Sequence, residues 1–234
     1  MNEFKSYKFE LPYLRNESMN GKLIVIEGAD CSGRSTQVEL LKNWLEYKGH
    51  AVVNTGLKRS TLFSEIINNA KSNVTLGKNT MSLLYATDFA DELEQKIVPA
   101  LKAGFIVLAD RYIYTLMVRD ILRGANKDWL RKVFGFALIP DLIIYLETST
   151  KNLMHRTFLK YGRLRYWESG MDIHLSHDML KSFKKYHDIM KNEYVDLSNE
   201  YGFITIDGNK EVKSIQKEIQ KTIENELEEL VNGK

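Results

Sequence analysis

The chain has 234 residues, with 33 Lys plus Arg set against 31 Asp plus Glu for a net charge of +2. Charge this balanced argues against a protein built to coat nucleic acid or a membrane surface, and no stretch approaches the roughly 18 uninterrupted apolar residues of a membrane span. The single Cys rules out an intrachain disulfide, which fits a soluble protein of a reducing, cytoplasmic compartment.

Residues 1–20 mix Phe4, Tyr7, Phe9, Leu11 and Tyr13 with charges and lack the apolar centre of a secretory signal. They read as an extension packing on a single domain, 21–234. The apolar run Leu23-Ile24-Val25-Ile26 predicts the first strand, and Gly28-Ala29-Asp30-Cys31-Ser32-Gly33-Arg34-Ser35-Thr36 follows it directly. Two glycines five positions apart, then a cation, then a hydroxyl, make a phosphate-binding loop: backbone N–H groups crowd around phosphate oxygens, and the cation and hydroxyl complete the site. The cation here is Arg34, where the pattern usually has Lys. Cys31 reads as a small residue that fits a tight turn. Val38, Leu41, Trp44 and Leu45, stopped by Gly49, predict a helix over 35–48 whose positive end faces the loop.

A second strand over 51–55 leads to Arg59, and a helix runs through residue 70. Apolar residues at 83, 86, 90, 93, 97 and 101 predict a helix over 80–101, with Tyr85, Asp88 and Glu92 on another face, available to line a pocket. The continuous apolar run 105–109 predicts a strand buried on both sides, and it ends in Asp110-Arg111-Tyr112. Two helices, to residue 123 and over 128–136, precede a strand over 142–146 and a helix over 150–158. Residues 159–173 hold Arg163, Arg165, Tyr166, Trp167 and two glycines without a clear period, as a lid over a ligand would. A long helix from residue 176, a strand over 203–207 and a closing helix complete the chain. This alternation predicts an α/β fold, an open parallel sheet covered on both faces. Ligands bind such sheets beyond the carboxyl ends of the strands, so the loop after Ile26, Arg59 and Asp110-Arg111 are expected to converge.

Phosphoryl transfer asks for positioning and charge more than covalent help. Gly28 and Gly33 would let the backbone approach the donor phosphates, Arg34 would reach the β- and γ-phosphates, and Ser35 would ligate Mg²⁺. Asp110 would either hold the metal through water or accept the acceptor's proton. At about 4 Å and an effective dielectric near 20, any full cation gains about 4 kcal/mol from a phosphate charge, so Arg34 keeps the charge of Lys and changes the geometry to a planar fork. Tyr85 reads as a core aromatic or a platform for a base.

In order along the chain, residues 26–37, Arg59-Ser60-Thr61, Leu83-Leu84-Tyr85-Ala86, Asp110-Arg111-Tyr112 with Thr115, Pro140-Asp141-Leu142 and Ile206-Asp207 resemble the thymidylate kinase family, most of all its archaeal-type branch. The resemblance implies a P-loop NTPase fold of the nucleoside monophosphate kinase type, with a five-stranded parallel sheet. It implies transfer of the γ-phosphoryl group of ATP to dTMP with Mg²⁺, usually by a homodimer. Gly28, Ser32, Gly33, Arg34, Ser35 and Thr36 would then hold the ATP phosphates, with Ser35 and Asp110 as metal ligands and Asp110 beside the reacting phosphates. Asp30 would meet the acceptor sugar's 3′-hydroxyl, Arg59 and Arg111 its phosphate, and Tyr85 its base, with Asp88 and Thr115 on the same side. A small residue at the position of Cys31 implies that the catalytic arginine comes from the lid, as Arg163 or Arg165. Phe89 stands where many relatives have an arginine, and Arg119-Asp120 where they have Tyr-Gln. These departures leave open a kinase for another pyrimidine monophosphate such as dUMP, and together with Arg34 they leave open a non-catalytic nucleotide-binding module.

Overall fold

The computed structural model describes residues 5–9, 19–57, 60, 62–73 and 76–232. Among these residues, β1 (Lys22–Glu27), β2 (Val52–Gly56), β3 (Ile106–Asp110), β4 (Leu142–Glu147) and β5 (Ile204–Asp207) form one parallel sheet in the order β2-β3-β1-β4-β5. Val52 aligns with Ile106 through to Gly56 with Asp110, and Ile144 with Ile204 through to Glu147 with Asp207. Strands β1, β3 and β4 are buried almost without interruption, so both of their faces are covered, as their unbroken apolar runs require. The chain divides into two units, Met1–Val25 with Lys42–Asp141 and Ile26–Leu41 with Leu142–Lys234.

In the first unit β2 and β3 are joined by α2 (Ser64–Asn73), α3 (Lys78–Glu92), a π-helical turn (Leu93–Ile97) and α4 (Val98–Lys102). The single helix expected over 80–101 is therefore one helical path with a widened turn in it. Pro99 cannot donate a hydrogen bond, and just before it the N–H of Val98 reaches back five residues to the carbonyl of Leu93. Helices α5 (Ile113–Leu122) and α6 (Lys127–Val133) follow β3, and Asn126 caps α6 by accepting from the N–H of Trp129 at 2.9 Å. Leu93, Leu101, Val107, Leu108, Leu130, Phe134 and Leu138 form the core of this unit. Glu92, expected to be available to a pocket, is instead buried and accepts from the Thr55 hydroxyl at 2.6 Å, fastening α3 to β2. Asp141 of the Pro-Asp-Leu motif secures the start of β1, accepting from Leu23 N at 2.8 Å and Lys22 Nζ at 2.9 Å.

In the second unit the start of α1 (Arg34–Tyr47) lies with β4, β5, α7 (Thr150–Tyr161), α8 (Met179–Tyr201) and α9 (Val212–Asn232). Helix α7 ends on Gly162 and α8 on Gly202, both in the left-handed region. Ile144, Leu153, Phe183, Met190, Leu197, Ile206 and Ile219 pack its core. The expected lid over 159–173 has more order than its irregular sequence suggests. Its first residues belong to α7, and 3-10 turns at Trp167–Ser169 and Met171–Ile173 follow. These turns are anchored to α8: the Ser182 hydroxyl donates to Ser169 O at 2.8 Å, and Gly170 lies so close to Tyr186 that a Cβ would come within 2.5 Å of its ring.

Candidate active site

The second unit carries the phosphate loop, 28–36. Gly28 has φ 149° and Gly33 has φ 101°, both within the region that favours glycine. At Gly28 a Cβ would also fall 2.9 Å from the Ser32 hydroxyl and 3.0 Å from Leu146 O, so the first glycine is required by space as well as by backbone angle. Cys31 adopts the left-handed region at φ 65°, a strained conformation at the tip of the turn. Ser32 is buried, Asp30 and Gly33 are half-buried, and Ser35 and Thr36 are exposed in the first turn of α1. Such a helix end directs its first N–H groups and a partial positive charge toward an anion in the loop.

Arg34 is buried and folded back against its own loop. Its Nη1 donates to the carbonyl of Gly28 and to that of Ala29 at 2.5 Å. Behind the loop, the Tyr194 hydroxyl sits 3.3 Å from Glu27 Oε2 and 3.4 Å from Gly28 O, and its ring stacks on Tyr145 at 4.7 Å. Burial pushes the Tyr145 hydroxyl pKa far up, and Tyr194, Glu147 and Glu27 push it further.

Arg156 of α7 is a site residue that the sequence reading missed. Its Nη1 donates to Ser32 O at 3.0 Å and its Nη2 to Gly208 O at 2.9 Å, so one guanidinium ties the phosphate loop to the turn after β5. Gly208 packs so tightly there that a Cβ would lie 2.3 Å from Thr148 Oγ1. In the same turn Asp207 accepts from both nitrogens of Asn209, which hold its carboxyl below the ordinary range. Asn209 in turn accepts from Ser149 N at the start of α7. The Ile-Asp motif at 206–207 is thus a brace. Both lid arginines, Arg163 and Arg165, are exposed, and Arg165 lies 5.0 Å over the Tyr161 ring and 3.6 Å from Glu168.

The first unit brings together another set of expected residues. Asp110 closes β3, opposite Gly56 of β2, and Arg111 next to it adopts φ 78°. A non-glycine residue in that region is held there by its surroundings, as functional positions often are. Tyr112 is buried, donates to Leu138 O at 3.0 Å and meets Phe89 edge-on at 4.8 Å. Burial pushes its hydroxyl pKa well up, and nearby Tyr7 adds to this. Phe89 also packs on Phe136 at 5.7 Å, so it belongs to the core. Thr115 and Asp88 are fully buried. Tyr85 is almost buried. Burial raises its hydroxyl pKa, Arg119 lowers it and Asp120 raises it, with smaller lowering effects from Arg123 and Arg111, so this hydroxyl feels charged groups on α5 and at both of its ends. Burial likewise raises the Asp120 carboxyl pKa, against a hydrogen bond from Ser82. Arg59 lies outside the described residues, while its neighbour Ser60 is buried, donates to Asp91 at 2.6 Å and accepts from the N–H groups of Leu62 and Phe63 at 3.1 Å.

Among the described residues no three His, Cys, Asp or Glu side chains cluster into a metal cage. Single oxygen donors such as the exposed Ser35 hydroxyl and the Asp110 carboxylate suit an ion like Mg²⁺, which keeps several waters and takes phosphate oxygens as partners. No described helix is long and apolar enough to cross a membrane.

The sequence model described as Thymidylate kinase matches residues 26–219. The chain is 36% identical over 206 residues to a probable thymidylate kinase 2 of Saccharolobus solfataricus, covering 88% of this chain and 96% of that one. A thymidylate kinase of Thermosipho africanus is 31% identical over 212 residues, covering 88% and 98%. A probable thymidylate kinase of Pyrococcus abyssi is 34% identical over 145 residues, 59% of this chain and 71% of that one. The chain therefore belongs to the thymidylate kinase family and has a P-loop NTPase fold.

Proposed function

We propose that the chain passes the γ-phosphoryl group of ATP to dTMP, with the ATP phosphates on the loop 28–36 and the acceptor on Arg111, Tyr85 and their neighbours. The observation that carries this is the loop itself: two glycines at positive φ, a helix N-terminus and a buried guanidinium in one turn of chain, in a member of a family of kinases. Backbone N–H groups of Gly28 to Thr36 bind and orient the β- and γ-phosphates. Arg34 grips the loop carbonyls and, with other arms of its fork, the phosphate oxygens. An acceptor phosphate oxygen attacks the γ-phosphorus in line as the bond to the ADP oxygen breaks. Ser35 and Asp110 would hold Mg²⁺, which would supply positive charge to the phosphates.

Arg111 and Arg59 hold the acceptor phosphate, Asp30 the sugar 3′-hydroxyl, and Tyr85 packs on the base with Asp88 and Thr115 behind it. Arg163 or Arg165 meets the charge that develops in transfer. Arg165 must leave the Tyr161 ring and Glu168 to do so. We assign the chain to the archaeal-type branch, in keeping with its likeness to the Saccharolobus and Pyrococcus proteins. A single kinase domain over 21–234 follows an extension over 1–20, and the family match, which runs through both units, supports that division. We assign it to the cytoplasm as a homodimer, which sedimentation would test. ADP release measured with ATP, Mg²⁺ and each nucleoside monophosphate in turn tests the reaction, and dTMP is expected to give the highest kcat/KM.

A further inference from the structure

We infer that residues 5–9 form a strap that holds the acceptor site in shape, with Tyr7 as its positioning residue. These residues precede the segment that the family model covers. The inference rests on the reading of Arg111 as an acceptor ligand.

The strap is fastened along its length to residues 135–139. Ser6 forms an antiparallel bridge with Leu138, Ile139 N donates to Lys5 O at 2.8 Å, Tyr7 N to Ala137 O at 3.1 Å and Lys8 N to Gly135 O at 2.8 Å. The fit is close enough to need a glycine: a Cβ on Gly135 would lie 2.8 Å from Lys8 Cβ and 2.9 Å from the Phe9 ring. Tyr7 then reaches into the fold, its hydroxyl bonded to that of Tyr114 and its ring edge-on to the Tyr114 ring at 6.4 Å.

Both attachments lead to Arg111. Leu138 is held on one side by the strap and on the other by the buried Tyr112 hydroxyl, at 3.0 Å. Tyr114, the other anchor, lies 6.0 Å from Tyr112 and in the first turn of α5. Tyr112 and Tyr114 flank the start of the helix that follows Arg111, whose φ of 78° is a conformation that its own backbone disfavours. A disfavoured conformation persists only where the surroundings over-determine it. Tyr112 and Tyr114 belong to those surroundings, and Tyr7 of the strap fastens Tyr114. Loosening the strap lets Arg111 relax, and the acceptor phosphate loses its partner while the ATP loop, in the other unit, is untouched.

The test uses the full chain with Tyr7→Phe, Tyr114→Phe, the pair together, and Gly135→Ala, which displaces the strap without altering Tyr7. Each is expected to raise the KM for dTMP about fivefold, the effect of one lost hydrogen bond, with the KM for ATP unchanged. The double variant should be no worse than either single one, because both remove the same bond. A lower melting temperature with both KM values unchanged, or a parallel rise in both, would overturn the inference and leave the strap a purely structural element. Arg111→Ala is the reference. If it leaves dTMP binding intact, the acceptor reading itself fails; if it abolishes binding while Tyr7→Phe changes nothing, only the strap fails.

Discussion

The phosphate loop and the surroundings of Arg111 are built in opposite ways. The loop is made by backbone: Gly28 and Gly33 at positive φ, the first N–H groups of α1, and carbonyls of residues 28, 29 and 32 held by Arg34 and Arg156. The Arg111 region is made by side chains on separate helices, with Tyr85 from α3 under the influence of Arg119 and Asp120 of α5 and of Arg123 just beyond it. A backbone site depends on a few residues at fixed spacing, and Arg34 keeps the positive charge that Lys would supply there. A side-chain site can change its specificity with one substitution. Phe89, Arg119 and Asp120, which the family resemblance marks as departures, all belong to this side-chain-built unit.

The strongest way to break this contrast is at Arg34. Arg34→Ala should reduce kcat by about a thousandfold, the scale of losing a donor to a developing oxyanion, while Arg34→Lys keeps most of the rate because charge and position survive. Full activity in the Ala variant would mean that backbone alone makes the loop. Next comes Arg111→Ala, expected to raise the KM for dTMP roughly a hundredfold through the loss of charge-assisted hydrogen bonds, with the KM for ATP unchanged. An equal change in both would blur the division between the two sites.

The smallest effect concerns Asp120. Its carboxyl pKa is raised by burial, so the folded chain binds that proton more tightly than the unfolded chain does. Its contribution favours folding at low pH and is lost as pH rises above the ordinary carboxylate range and through the raised value. Asp120→Asn should flatten that part of the stability profile, and urea unfolding at a series of pH values would read it. An unchanged profile would show that Asp120 is solvated like a surface acid.

The apolar runs at 23–26, 105–109 and 142–146 were legible as strands because strands buried on both faces need nothing more local than that. The loop was legible because its glycines, cation and hydroxyl all act within nine residues. Arg156 was not, because its partners Ser32 and Gly208 lie 124 and 52 residues away and nothing in the α7 pattern marks it. The order in the lid escaped for the same reason: Ser169 and Gly170 are fixed by Ser182 and Tyr186 of α8. Tyr7 looked like one aromatic among several in a charged extension, and its meaning comes from Tyr114, 107 residues on. Conversely, the π turn had a local signal in Pro99 that periodicity alone smoothed over.

This loop, with arginine as its cation, is expected to support phosphoryl transfer to dTMP. Steady-state ADP release with ATP, Mg²⁺ and dTMP, set beside dUMP, CMP and a reaction without acceptor, tests it most directly. Acceptor-dependent turnover highest with dTMP is the predicted result. ATP binding without turnover on any monophosphate, or turnover with dUMP or CMP and none with dTMP, would contradict it.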